Sequence, residues 1–306
     1  MKIFLICNPA SRGGKSARLC ERVFRRLDSW KVQYDHVFTD SLDHAAELSR
    51  TLQTGDASTI VAVGGDGTIN RVINGFFDDK GKRMSGKKLG IIHTGTSPDF
   101  CKTYSIPVLP EKAADAIIAG RTRRVRIGRI ESDGGRECRY FGCCANAGFG
   151  APLARMANGG IRKYAGDTAG TLISLVKLFM TYRPSTFRVT LDGVQQIHEN
   201  VLNISAGLTK YIASGIRICH ELRENDTRVY VVIVKNIKWN RLPFLLKILY
   251  SGRPIPENGN IVVRYAEKVG IEGEKEGIEI EFDGDPAGFL PCMIGSAPDT
   301  LDVITG

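Results

Sequence analysis

Residues 58–68, STIVAVGGDGT, carry a continuous strand-like run into a cluster of glycines, and a helical pattern follows from Ile69 to Phe77. That order leaves few folds open. A short run that is apolar without alternation belongs to a strand buried on both faces, the kind found inside parallel sheets. Glycines at its carboxyl end leave backbone N–H groups bare in the place where open α/β sheets bind their ligands. Phosphate is the natural guest of such a loop.

The pattern is repeated nearby. KIFLIC (2–7) leads through NPASRGGK (8–15) into a helix whose Leu19, Cys20, Val23, Phe24 and Leu27 share one face. VQYDHVF (32–38) precedes a helix with Ala45, Leu48 and Leu52 inward, and KLGIIH (88–93) ends in the glycine loop HTGTSPDF (93–100). Strands alternating with helices in this way predict βαβ units and a mostly parallel sheet. From about residue 123 the texture changes. VRIGRIE, RYFGCCANAGFG, FRVTLDG, VLNISAG, RVYVVIVKN, NIVVRYA and GIEIEFDGD are strand-like segments separated by Gly, Asn and Asp turns, as in a β-sandwich or barrel. Two helical insertions interrupt them, near 164–182 and 241–250. The expected fold is therefore an α/β N-terminal domain with a parallel sheet, residues 1–122, followed by a β-rich sandwich domain, residues 123–293. Residues 294–306 are a candidate to complete the first domain.

The formal charge of +9 favours anionic partners without choosing among them. The eight cysteines show no CxxC spacing and read as reduced thiols. The apolar run Ile3 to Cys7 is too short for a secretion signal, and Leu172 to Met180, interrupted by Lys177, falls far below a membrane span. A cytoplasmic protein is expected.

In the GGDGT loop, Gly64, Gly65, Asp66, Gly67 and Thr68 are candidates to hold phosphate, and Asp66 can order the loop or touch a ribose hydroxyl or a hydrated Mg²⁺. Asn8, Ser11 and Lys15 of the first loop lack the GxxxxGK[ST] spacing but stand between a strand and a helix N-terminus. Gly95, Thr96 and Asp99 of the third loop offer donors and a carboxylate. Three loops from consecutive βα units converge on one edge of a sheet. Among the histidines, only His93 lies beside a proposed ligand loop, and a hydrogen-bonded structural role is the default for it. Cys143-Cys144 is expected inside a strand, with packing as its role.

On the segments NPASRGGK, GGDGTINRVING, LGIIHTGTSPDFCKTYSIP, NAGFGA, EFDGDPAGFLP and APDTLDVITG, the chain resembles the diacylglycerol kinase catalytic superfamily. The likeness is to its bacterial lipid kinase branch, which includes the sphingosine kinases and is distantly related to NAD kinases. The resemblance runs through nearly the whole chain. It implies a nucleotide-binding α/β domain of the NAD kinase and diacylglycerol kinase type, then a β-rich domain, with ATP and Mg²⁺ in the cleft and a lipid hydroxyl as acceptor. It also implies that Asp283 is the general base, with Asp285 at the acidic position that follows. One carboxylate to receive the acceptor proton, with cations on the phosphates, is what phosphoryl transfer requires.

Three positions depart from that family's pattern: Arg71 where Glu is usual, Pro98 where Asn is usual, and Arg126 where an Asp is usual. They replace acidic groups with cations and remove a donor, and they bear on catalysis and metal handling. Metal ligands are not assigned. On the acceptor side, Leu172, Leu175, Val176 and Phe179 form one helical face, with Ile173, Leu178 and Met180 off it. Residues 241–253 set Arg241, Lys247 and Arg253 beside apolar side chains. Both segments suit either a core helix or an anionic membrane surface. The arginine run 121–129 reads as a solvated strand face, and nucleic acid is not expected as a partner. The expected function is an ATP-dependent lipid kinase of phospholipid metabolism, peripheral to the inner membrane face. A homodimer stays open. The alternatives are a catalytically impaired nucleotide- or lipid-binding protein on the same scaffold, and an NAD kinase.

Overall fold

A computed structural model describes residues 2–11, 16–95, 97–156, 167–212, 215–218, 226–237, 247–248 and 251–306. The chain divides into two compact units, Met1–Ile127 with Ala297–Gly306, and Gly128–Ser296.

In the first unit, β1 (Lys2–Cys7), β2 (Gln33–Phe38), β3 (Thr59–Gly64) and β4 (Lys88–His93) form a parallel sheet in the order β2-β1-β3-β4. Val303, late in the chain, pairs in parallel with Leu89 on the outer edge of β4. The continuous apolar run 60–63 is fully buried, as a strand covered on both faces must be. Helices α1 (Ser16–Ser29), α2 (Leu42–Thr51), α3 (Asp66–Asn74), α4 (Asp99–Tyr104) and α5 (Pro110–Ala119) complete the unit. Cys20, Val23 and Leu27 of α1 and Ala113, Ala114 and Ile117 of α5 share one core with Ile3, Leu5, Val61, Val63 and Ile304. Two sequence expectations are corrected. The inward face of α2 is Ala45 and Ser49, continued by Gln53 in the 3-10 turn that follows, with Leu48 and Leu52 half-buried. The cause is a close helix approach: Ser49 Oγ donates to Val72 O at 2.7 Å, and a Cβ on Gly75 would stand 2.4 Å from Ser49 Cβ. Large side chains do not fit there. The GGDGT segment is also not all loop, because α3 begins at Asp66 and places Gly67 and Thr68 in its first turn.

The second unit is built from antiparallel pairs. β5 (Thr122–Ser132) starts in the first unit and pairs with β6 (Glu137–Phe141), where the Phe141 ring lies over Gly128. Then come β7 (Cys144–Gly148), β8 (Ser185–Leu191), β9 (Val194–Gly207), the short pair β10 (Tyr211–Ile212) and β11 (Ile216–Arg217), and β12 (Val229–Lys235). β13 (Ile261–Ala266), β14 (Lys268–Gly273), β15 (Glu279–Phe282), β16 (Asp285–Phe289) and β17 (Cys292–Ile304) follow. The order runs β16-β15-β7-β9-β8-β14-β17, with β12 between β9 and β13. β9 changes partners: residues 194–201 pair with β8, and residues 203–207 lie between β7 and β12. Asn200, in the left-handed region at φ 56°, marks the change. Phe141, Phe187, Ile204, Val231, Ile271, Ile280 and Ile294 belong to the inner core. Cys143 is not inside a strand as expected, because the chain breaks between β6 and β7 at 142–143.

Helices α6 (Gly150–Met156) and α7 (Asp167–Thr181) belong to this unit. On α7 the buried positions among the described side chains are Ser174 and Leu178, while Val176 and Phe179 are half-buried. Leu178, expected off the packed face, is thus on it, and the side chains of Leu172 and Leu175 lie outside the described residues. Ile173 and Met180 are exposed, at 50% and 69%. Of the other insertion only residues 247–248 and 251–253 are described.

Candidate active site

In the first unit the three glycine loops follow β1, β3 and β4 at their carboxyl ends, and they touch. Asn8 N donates to Val63 O at 2.9 Å, and Thr94 N to Gly64 O at 2.8 Å. Asn8 Nδ2 donates to Thr68 Oγ1 at 2.9 Å, and the Ser16 and Thr94 hydroxyls meet at 2.9 Å. Asn8 and Thr68 therefore latch the first loop to the second. Gly64 is demanded by this latch, since a Cβ there would strike the Thr68 side chain at 2.4 Å. Gly65 and Gly95 lie back to back: a Cβ on Gly95 would come within 2.7 Å of Gly65 Cα, and one on Gly65 within 3.4 Å of Ser11 Oγ. Only residues without side chains bring these backbones together.

Gly65 caps α3 in an extended conformation with no side-chain hydrogen bond, so the first N–H groups of the helix have no side-chain acceptor at the cap. Free N–H groups at a helix N-terminus favour an anion. Asp66 opens the helix with Oδ1 buried and the side chain 23% exposed overall. Oδ1 lies 3.5 Å from Nε2 of His93, a side chain only 1% exposed, and neither atom has a hydrogen-bond partner among the described residues. Asp99 opens α4 after Pro98 and is buried. Burial, and then the charges of Asp66 and Asp99, push the nearby Cys101 thiol well up. Lys15 and Thr96 lie outside the described residues.

These residues fit a nucleotide with its metal. The glycine cradle suits phosphate, and among the described residues no group of three acidic, His or Cys side chains is assembled to cage a metal. A Mg²⁺ held chiefly by phosphates and water, with one or two carboxylates such as Asp66 and Asp99, needs no such cage. Of the departures, Arg71 sits on α3 with Nη1 3.5 Å from Asp43 of α2. Pro98 stands just before Asp99 and still accepts Lys102 N at 2.8 Å, a place in a helix where a missing N–H costs little. Arg126 is half-buried on β5.

In the second unit, Asp283 and Gly284 form the two-residue turn between β15 and β16, at φ 51° and 89°. Asp-Gly is the pair that such a left-handed hairpin turn favours. The Asp283 carboxylate accepts three backbone N–H groups, from Gly142 at 2.6 Å, Cys143 at 2.8 Å and Cys144 at 3.2 Å. It closes the break between β6 and β7. Asp285 follows, half-buried.

Sequence reasoning missed the group beneath this turn. Glu281 is fully buried, accepting Gly284 N at 2.8 Å on Oε2 and Asn146 Nδ2 on Oε1. Asn146 Oδ1 in turn accepts Asn203 Nδ2 at 3.1 Å and the Ser205 hydroxyl, and Asn203 Oδ1 accepts Gly150 N at 2.9 Å at the start of α6. Burial pushes the Glu281 carboxyl up to about 8; the Gly284 and Asn146 donors oppose the rise, and the charges of Asp283 and Asp285 add to it. Strand alternation gave no warning, because Glu281 stands on the face opposite Ile280 and Phe282, which reads as solvent.

Residues 2–130 match the family model of the diacylglycerol kinase catalytic domain. Residues 144–305 match that of the YegS C-terminal NAD kinase beta sandwich-like domain. The diacylglycerol kinase of Mycobacterium tuberculosis is 25% identical to this chain, the alignment covering 99% of this chain and 94% of that one. The diacylglycerol kinase of Staphylococcus carnosus is also 25% identical, over 98% and 94% of the two chains. A probable YegS-like lipid kinase of Chromohalobacter salexigens is 24% identical over 78% of this chain and 73% of its own. The crystal structure of a putative diacylglycerol kinase from Bacillus anthracis superposes with a TM-score of 0.79 at 20% identity, covering 100% of this chain and 95% of that one. At that identity the likeness speaks for the fold.

Proposed function

Because the chain belongs to the family that joins a diacylglycerol kinase catalytic domain to a YegS C-terminal NAD kinase beta sandwich-like domain, we propose that it transfers the γ-phosphoryl group of ATP to a lipid hydroxyl. The observation that supports this most is the back-to-back approach of Gly65 and Gly95 beside Ser11 and the N-terminus of α3. Such a cradle holds phosphates by backbone N–H groups, and phosphoryl transfer depends above all on holding them in place. Asn8 and Thr68 keep the cradle's loops in register, and Asp66 and Asp99 are the carboxylates that would meet a hydrated Mg²⁺ carried by the phosphates. When bound, that ion neutralises phosphate charge. Lys15 is assigned to the phosphates as well.

Asp283 is the proposed general base, with Asp285 at the acidic position beside it. Asp283 already accepts three N–H groups, so Asp283→Asn would break the seam between β6 and β7 as well as any base. A fold check by circular dichroism must therefore accompany the activity of Asp283→Asn. The Arg71–Asp43 approach gives one of the departures a partner on α2, which supports an active cradle. A peripheral position on an anionic membrane face, with cytoplasmic placement, follows from the same reading. No helix among the described residues is long and apolar enough to cross a membrane.

The deciding experiment is transfer of label from γ-³²P-ATP, with Mg²⁺, to a total lipid extract presented as vesicles, the product identified by mass. A phosphorylated lipid is expected, and Asp283→Asn should abolish it while Asp285→Asn reduces it less. ATP binding with no lipid product would instead favour a binding protein on this scaffold, and conversion of NAD to NADP would favour an NAD kinase.

A further inference from the structure

The pair formed by Asp66 and His93 is unusual in two respects. A buried carboxylate oxygen and a buried imidazole nitrogen are left without hydrogen bonds, a costly state for both. They nevertheless face each other at 3.5 Å, closer than unrelated side chains need to stand and longer than a formed hydrogen bond. Their places in the chain explain why they meet. His93 is the last residue of β4 and pairs with Gly64, the last of β3, so its side chain lies under the loop in which Asp66 opens α3. Gly95 keeps that space clear, since a Cβ there would come within 3.2 Å of His93 Nε2.

The geometry points to His93 as a positioning residue for Asp66, its Nε2–H donating to Oδ1 and fixing the carboxylate so that Oδ2 is presented to the nucleotide and its hydrated cation. Hydrogen bonds of this kind are often long in a ligand-free site and tighten when the ligand arrives. The imidazole acts through the carboxylate and touches no reacting atom. Without it, Asp66 would be free to rotate at the mouth of the cradle, and the binding of a charged ligand would have to restrain it. This inference rests on the nucleotide cradle proposed above and concerns binding, so it can be tested with no knowledge of the lipid.

The experiment is calorimetric titration of MgATP into four proteins: wild type, His93→Phe, Asp66→Asn and the double variant, with His93→Gln as a rescue. Glutamine places an amide N–H near the position of Nε2–H, whereas phenylalanine keeps the bulk and loses the donor. We expect His93→Phe to weaken MgATP binding about tenfold, His93→Gln to remain within about threefold of wild type, and His93→Phe to add nothing once Asp66 is Asn. Non-additivity of that form identifies a contribution that passes through the partner residue. A purely packing role would let the two single losses multiply, or leave Phe and Gln equally weak, and either result overturns the inference while leaving the kinase reading intact. Failure of the wild-type protein to bind MgATP overturns both.

Discussion

Glu281 shows how a single side chain can tie stability to pH. Its carboxyl is raised to about 8 from an ordinary 4.5, chiefly by burial. Between those values the folded chain keeps a proton that the unfolded chain has lost, so stability falls as pH rises through that window and levels off above it. The expected loss is on the order of a few kcal/mol. Urea denaturation of wild type and Glu281→Gln from pH 5 to pH 9 checks it: the wild-type midpoint should decline relative to that of the variant, which lacks this titrating group. Parallel curves would show that Glu281 keeps no proton in the folded state. The same residue scale holds what was hardest to read in the sequence. Asp283 was visible as a turn aspartate, but its three N–H donors come from residues about 140 positions away. His93 was visible beside a ligand loop, but not the orphaned oxygen above it.

Among the elements, α2 and α3 pack so closely that Ser49 and Gly75 are in contact across the pair. Gly75→Ala would set a methyl group 2.4 Å from Ser49 Cβ and 2.7 Å from Arg50 N, so the helices must part. Overpacking of this kind costs about 1–3 kcal/mol. A fall of several degrees in the thermal midpoint is expected, with MgATP affinity reduced because α3 carries Asp66 at its start. An unchanged midpoint would mean that the helices can separate freely. At this scale the sequence was most legible. The parallel strands β1, β3 and β4 and their glycine loops were plain from apolar runs and turn residues, which are local signals. The inward face of α2 was misread because a tight helix contact selects small polar residues over leucines, and that depends on a partner helix. The start of α3 was misplaced because glycine reads as a loop former even where its N–H groups open a helix.

For the whole molecule, the surplus of positive charge and the exposed Ile173 and Met180 on α7 bear on where the protein works. Exposed apolar side chains on a chain of net positive charge favour anionic bilayers, weakly and with strong dependence on salt. Sedimentation with phosphatidylglycerol vesicles should fall severalfold when Ile173→Ser and Met180→Ser are combined, and again on raising salt, while MgATP affinity is unchanged. Equal sedimentation of variant and wild type would show that Ile173 and Met180 make no bilayer contact. The return of the chain to β4 through Val303 has a consequence of its own. During translation, the parallel sheet is synthesised first but its outer edge stays bare until the entire sandwich has left the ribosome. An unpaired edge of buried, β-branched sequence invites association with other nascent chains. The protein should therefore depend on co-translational chaperones more than its size alone would suggest.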